Sequence, residues 1–179
     1  MTTSRGQLNL SHSRGRIIEQ AAFDANKDLI KSVLQADAIE DCAGSLMDKV
    51  SGIDAIATKD KRQVGVSLRV RKDDYGSITL SRNISDKHSQ VHTLLKTISG
   101  DVHFLSPAFI VQLNGLDNNN RCNGTIWRIN AREFAKWIQI LIDKDILGQF
   151  FNPQLLAYEF KREHLSSISG VVFIDVLKN

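Results

Sequence analysis

Apolar positions recur at helical and strand spacings along most of the chain. No proline or glycine interrupts Arg16 to Ala38, and Ile18, Ala22, Ala25, Leu29 and Val33 repeat every three or four residues, which predicts a long helix over 15–36. Residues 44–50 (GSLMDKV) read as a short strand and 52–58 (GIDAIAT) as a weakly alternating one. Residues 63–71 (QVGVSLRVR) alternate strictly. Val64, Val66, Leu68 and Val70 face one way, and Gly65, Ser67, Arg69 and Arg71 the other. The charged run Lys59-Asp60-Lys61-Arg62 is the hairpin turn between these two strands. A third strand, 77–81, follows a polar turn. Asp86 caps a helix over 86–98 whose apolar face is Val91, Leu94, Leu95 and Ile98, and Gly100 ends it. Pro107 opens a buried strand over 107–113, at the position where a missing N–H matters least.

The remainder extends this series. Residues 125–129 form a strand, and Asn130 caps a helix with Glu133 three residues on, as in a capping box. Phe134, Trp137, Ile138, Leu141 and Ile142 give that helix a stripe that reads as core rather than as a base-stacking platform. Residues 154–160 fit strand or helix, and 171–177 form a final strand. The helix over 130–142 and the last strand either complete the core or present a homodimer face. The fold class expected is α/β (α+β), with the order α-β-β-β-α-β over about 15–113. A central mixed sheet is flanked by helices, and a strand-helix-strand extension covers 114–179. Residues 1–14 read as a flexible basic arm carrying Arg5 and Arg14, or as a tail with no role.

Composition narrows the classes. The chain has 179 residues, 42% apolar and 24% charged, which excludes collagen, wholesale disorder and a disulfide scaffold and fits one domain. Cys42 and Cys122 form no CxxC pair; they fit free thiols in a reducing compartment, or one disulfide. No run of 18 apolar residues and no apolar leader core is present, so an intracellular, cytoplasmic protein without a membrane span is expected. The P-loop, dinucleotide, zinc-protease and serine-hydrolase motifs are absent from the sequence.

The chemistry lies in Gly52-Ile53-Asp54 and Ser67-Leu68-Arg69. An acid opens one strand, and the next antiparallel strand presents Ser67 and Arg69 on one face. Glu19 sits one residue off the apolar stripe of the first helix. There it is either a solvated residue favoured by the helix N-terminus or a carboxylate aimed into a site at the sheet's end. Glu19, Asp54, Ser67 and Arg69 are expected to converge. This set, with the α-β-β-β-α-β order, resembles the PD-(D/E)XK nuclease superfamily, including its resolvase- and restriction-endonuclease-like members. The resemblance implies metal-dependent phosphodiester hydrolysis of DNA. Asp54 would be the central Mg²⁺ (or Mn²⁺) ligand, Glu19 a second ligand and the Leu68 carbonyl a contributor.

Two positions depart from the family pattern. Ser67 stands where a carboxylate or amide helps hold metal, and Arg69 where a lysine orients or activates water. An arginine stays protonated, so it serves as a phosphate clamp rather than a base. Asp48 is a candidate migrated carboxylate. The departures leave a second reading, a catalytically inactive module on the same scaffold that binds nucleic acid or a protein partner. The net charge is only +3, yet Lys59, Lys61, Arg62, Arg69, Arg71 and Lys72 crowd into fourteen positions against Asp60 alone. On a hairpin they form a basic ridge beside the site, suited to a phosphate backbone. His88 and His92, four apart, fit surface histidines better than a metal pair.

Overall fold

The long uninterrupted stretch forms helix α1, Arg5–Leu34, in a computed structural model that describes residues 5–42, 45, 51–81, 90–99 and 106–176. The helix therefore takes in most of the segment expected as an arm. Its buried face is Ala22, Phe23, Asn26, Ile30, Val33 and Leu34, while Ile18 and Ala25 stay exposed. The face is turned from the predicted one because Phe23 and Ile30 remove more apolar area from water than the alanine-rich stripe would. Gln35, with φ 53°, ends the helix, and Arg128 Nη1 donates to the Val33 carbonyl oxygen at 3.0 Å. A cation thus satisfies one of the last-turn carbonyls.

Strands β1 (Ala38–Asp41), β2 (Ala55–Lys59), β3 (Arg62–Arg71), β5 (Phe109–Asn114), β6 (Thr125–Asn130) and β9 (Val172–Asp175) form one sheet, ordered β1-β2-β3-β5-β6-β9. Only β3 and β5 are parallel; every other pair is antiparallel. A smaller sheet, ordered β4-β8-β7, contains β4 (Ser77–Ser81), β7 (Phe151–Asn152) and β8 (Ala157–Lys161). Helices α2 (Gln90–Leu95), α3 (Ala131–Asp143) and α4 (Arg162–Leu165) complete the described elements, with 3₁₀ turns at Lys96–Ile98 and Leu147–Phe150. The protein is thus α+β with a mixed six-stranded sheet.

Two apolar clusters line the sheet's faces. On one, Ala22, Phe23 and Ile30 of α1 meet Val66, Leu68 and Val111. On the other, Ile110, Trp127 and Ile129 meet Leu94, Phe134 and Phe160 from α2, α3 and the small sheet. Alternation along β5 and β6 feeds both clusters, while the apolar face of β3 feeds only the one with α1. Asn130 caps α3 as expected, accepting from the Arg132 and Glu133 N–H groups at 3.0 and 3.1 Å. The α3 stripe lies in the core cluster, and β9 pairs with β6, so this extension completes the core.

One expectation is corrected, one strand is new and one open reading is decided. The strand at 77–81 forms but leaves the central sheet, because β8 offers it a full antiparallel ladder and Ile78 and Leu80 bury in the α3 cluster. Strand β1 was not expected: only Ile39 of its four residues is buried, so it carries almost no apolar signal. Residues 154–160 resolve into a loop and strand β8. The strand proposed at 44–50 and the Asp86 cap lie outside the described residues, apart from Ser45.

In the small sheet, Glu159 accepts from Asn152 Nδ2 at 2.7 Å and Ser77 Oγ at 2.8 Å, and these bonds hold its pKa below the ordinary carboxylate value. A carboxylate depressed in the folded state binds fewer protons there than in the unfolded chain. Its contribution is present above the unfolded pKa and is lost as pH falls through the folded one. Glu159→Gln is therefore expected to cost on the order of 1 kcal/mol at pH 7, reduced by its solvent access. Melting curves of the two proteins should converge below about pH 4.

Candidate functional site

Gly52, with φ 63°, makes the left-handed turn that brings buried Ile53 and then Asp54 to the mouth of β2. The Asp54 N–H donates to the Val66 carbonyl at 2.9 Å, and its own carbonyl accepts from the Cys42 N–H at 2.7 Å. Strand β2 ends at Ala55, opposite Val66, so the Leu68 N–H has no strand across from it. The Asp54 carboxylate fills that gap: Oδ2 accepts from the Leu68 N–H at 2.6 Å and from Ser67 Oγ at 3.3 Å. One carboxylate oxygen is thereby fixed against β3.

Glu19, Asp54, Ser67 and Arg69 line a single cavity of about 450 Å³, together with Arg71 and Thr79. The four residues expected to converge line this one cavity, with Glu19 in its exposed wall. Arg69 Nη1 donates to the Thr79 carbonyl at 3.3 Å, and Arg71 Nη2 donates to Thr79 Oγ1 at 2.7 Å. Among the described residues, the buried Nε of Arg69 has no hydrogen-bond partner. Burial, and then the Arg71 charge, pull the Arg69 guanidinium down to about 10, while Asp54 and Glu19 pull it up. It remains charged at neutral pH, held in a field to which both carboxylates contribute.

The basic ridge is not continuous. Lys59 and Arg62 flank a two-residue turn in which Asp60 and Lys61 have φ 49° and 64°, the left-handed pair a tight hairpin requires. At about 3.3 Å per residue, Arg62 stands roughly 23 Å along the strand from Arg69. Lys59, Lys61 and Arg62 therefore form an exposed tip remote from the cavity, where Lys59 Nζ donates to Gln35 Oε1 at 3.3 Å. Arg69 and Arg71, in the wall, and exposed Lys72, one residue on, lie at the cavity end. Closeness in sequence overstated closeness in space because a strand is the most extended form of the chain.

Asp48 and His88 lie outside the described residues. Cys42 and Cys122 are free thiols, each with its pKa raised chiefly by burial, so neither is primed as a nucleophile. Among the described residues no three of His, Cys, Asp and Glu gather into one cluster. Thr79 and Lys96 are cavity residues that the sequence reading did not single out. Thr79 had a signal, since it is the polar position between buried Ile78 and Leu80; Lys96 had none beyond its place near the end of the second helix. Among the described residues no helix is long and apolar enough to cross a membrane. No protein-family model, no curated protein and no solved structure matches the chain.

Proposed function

We propose that the protein is a metal-dependent nuclease-like enzyme that hydrolyses phosphodiester bonds in DNA. The observation that carries the reading is the meeting of Glu19, Asp54, Ser67 and Arg69, from three elements, in one cavity. The order α1, β1, β2, β3, α2, β5 supports a restriction-endonuclease-like core once β4 is assigned to the small sheet. The donor set fits a hard divalent cation, since Mg²⁺ takes one or two carboxylates with backbone oxygen and water. Asp54 and Glu19 would be the two carboxylates of that set. Bound there, Mg²⁺ or Mn²⁺ would polarise the phosphate and lower the pKa of an attacking water. Arg69 would hold charge against the phosphate, its buried Nε being a donor without a partner among the described residues. Arg71 and Lys72 continue that positive edge.

A second reading has its own observation. Asp54 Oδ2 and Ser67 Oγ are bonded to each other, and that arrangement equally suits a structural clip in a module that binds nucleic acid or a protein partner without turnover. Incubating the full chain with supercoiled, linear, branched and single-stranded DNA in Mg²⁺ or Mn²⁺ separates the two. The nuclease reading expects cleavage of at least one form, abolished by EDTA. Salt-sensitive binding without cleavage of any form would establish the second.

A further inference from the structure

Strand β4 lies at the end of the small sheet and pairs with β8 on one side. Side chains close its other edge. Gln112 Nε2 donates to the Ser77 carbonyl at 2.9 Å, Arg69 Nη1 donates to the Thr79 carbonyl at 3.3 Å, and the Ser81 N–H donates to Gln90 Oε1 at 3.2 Å. Main-chain groups on a strand edge need such partners, and these three bonds supply them through the backbone of β4. The Thr79 hydroxyl takes no part in that joint. Its Oγ1 accepts from Arg71 Nη2 at 2.7 Å, a shorter bond than any of the three.

Arg69 and Arg71 are two residues apart on β3, so they share a face at a spacing of about 7 Å, and both line the same cavity. A guanidinium has five N–H donors. Each of these two uses one on Thr79, and Arg69 Nε has no partner among the described residues. The two charges also repel: after burial, the Arg71 charge is what lowers the Arg69 pKa most. Two guanidinium groups held together against repulsion, with donors to spare, complement the oxygens of a phosphoryl group.

We infer that Thr79 is a positioning residue, whose hydroxyl keeps Arg71 beside Arg69 so that the pair receives one phosphoryl group of a DNA strand without help from a cation. The role rests on the phosphate contact proposed above, and it holds whether or not the strand is then cut.

The test measures binding of fluorescein-labelled duplex and single-stranded DNA to the full chain, in EDTA, over a series of salt concentrations. Thr79→Val keeps the branched shape and the main-chain carbonyl and loses the hydroxyl acceptor. The slope of log affinity against log salt should become shallower by about 0.9 on duplex or about 0.7 on single strand, the share of one phosphate. Thr79→Ser should restore the parent slope, and both variants should melt near the parent temperature. Arg71→Ala should lose the same slope, and adding Thr79→Val to it should change nothing further. A parent slope in Thr79→Val, a further loss in the double variant, or a loss that Thr79→Ser fails to restore each overturns the positioning role and leaves the DNA reading standing. So does a parent protein that binds no DNA in EDTA yet cuts it in Mg²⁺ or Mn²⁺. A parent that neither binds nor cuts any DNA overturns the DNA reading and the positioning role together.

Discussion

On the proposed nuclease reading, Asp54→Asn is expected to lower metal-dependent cleavage by on the order of a thousandfold while leaving the protein folded. That magnitude would follow from losing an anionic ligand to a cation worth several kcal/mol to the transition state, at 1.36 kcal/mol per tenfold in rate. The retained fold follows from the carboxylate's other task. Its Oδ2 accepts the Leu68 N–H at 2.6 Å, where β2 has already ended, and an asparagine side-chain oxygen can accept the same bond. Asp54→Ala cannot, so a partly buried N–H loses its partner at a cost of about 1–3 kcal/mol. The pair is therefore diagnostic. Kinetic assays should find both variants inactive, and denaturant titration should find only the alanine variant destabilised. If both are fully active, Asp54 is a structural clip and its assignment as a metal ligand fails.

The second large effect lies away from the cavity. Phe160→Ala is expected to cost about 3–5 kcal/mol, the usual range for emptying a fully buried aromatic site. Phe160 is wholly buried, with Phe134, Trp137 and Phe150 rings centred 5.7, 5.3 and 5.2 Å from its own. It joins β8 to α3, and β8 carries β4, whose Thr79 anchors both arginines. At about 2–4 °C per kcal/mol for a chain of this size, the melting temperature should fall by roughly 6–20 °C. Calorimetry reads this directly; a fall under about 2 °C would mean that the aromatic cluster is not a principal part of the core.

The candidate site was legible because its parts sit on strictly alternating segments. The pattern of β3 fixes which side chains share a face, and the Lys59–Arg62 turn fixes what lies opposite, so Asp54, Ser67 and Arg69 could be brought together from spacing alone. Glu19 needed only its offset from the helix stripe, even though that stripe itself was turned. What spacing does not encode is the partner of a strand. Ile78 and Leu80 declare that β4 is buried without saying against which neighbour, and β1 is too short and too exposed to declare anything. The ridge failed for a related reason. Charge was counted along the chain, and the rise of the strand then carried Lys59, Lys61 and Arg62 away from the cavity. Lys96 reaches the site through tertiary packing, which no local pattern reports.

The parallel pairing of β3 with β5 has a consequence for the order in which the protein becomes itself. Strand β3 meets β2 across a two-residue turn, a local closure that forms on the microsecond scale. It meets β5 only after the chain has passed through β4 and α2, a non-local closure that carries a larger entropic cost and slows folding. The Asp54 clip on Leu68 can thus exist in an early hairpin, while the wall that bears Thr79 and Lys96 arrives late. A nascent chain would hold its acidic half-site well before the cavity around it is complete.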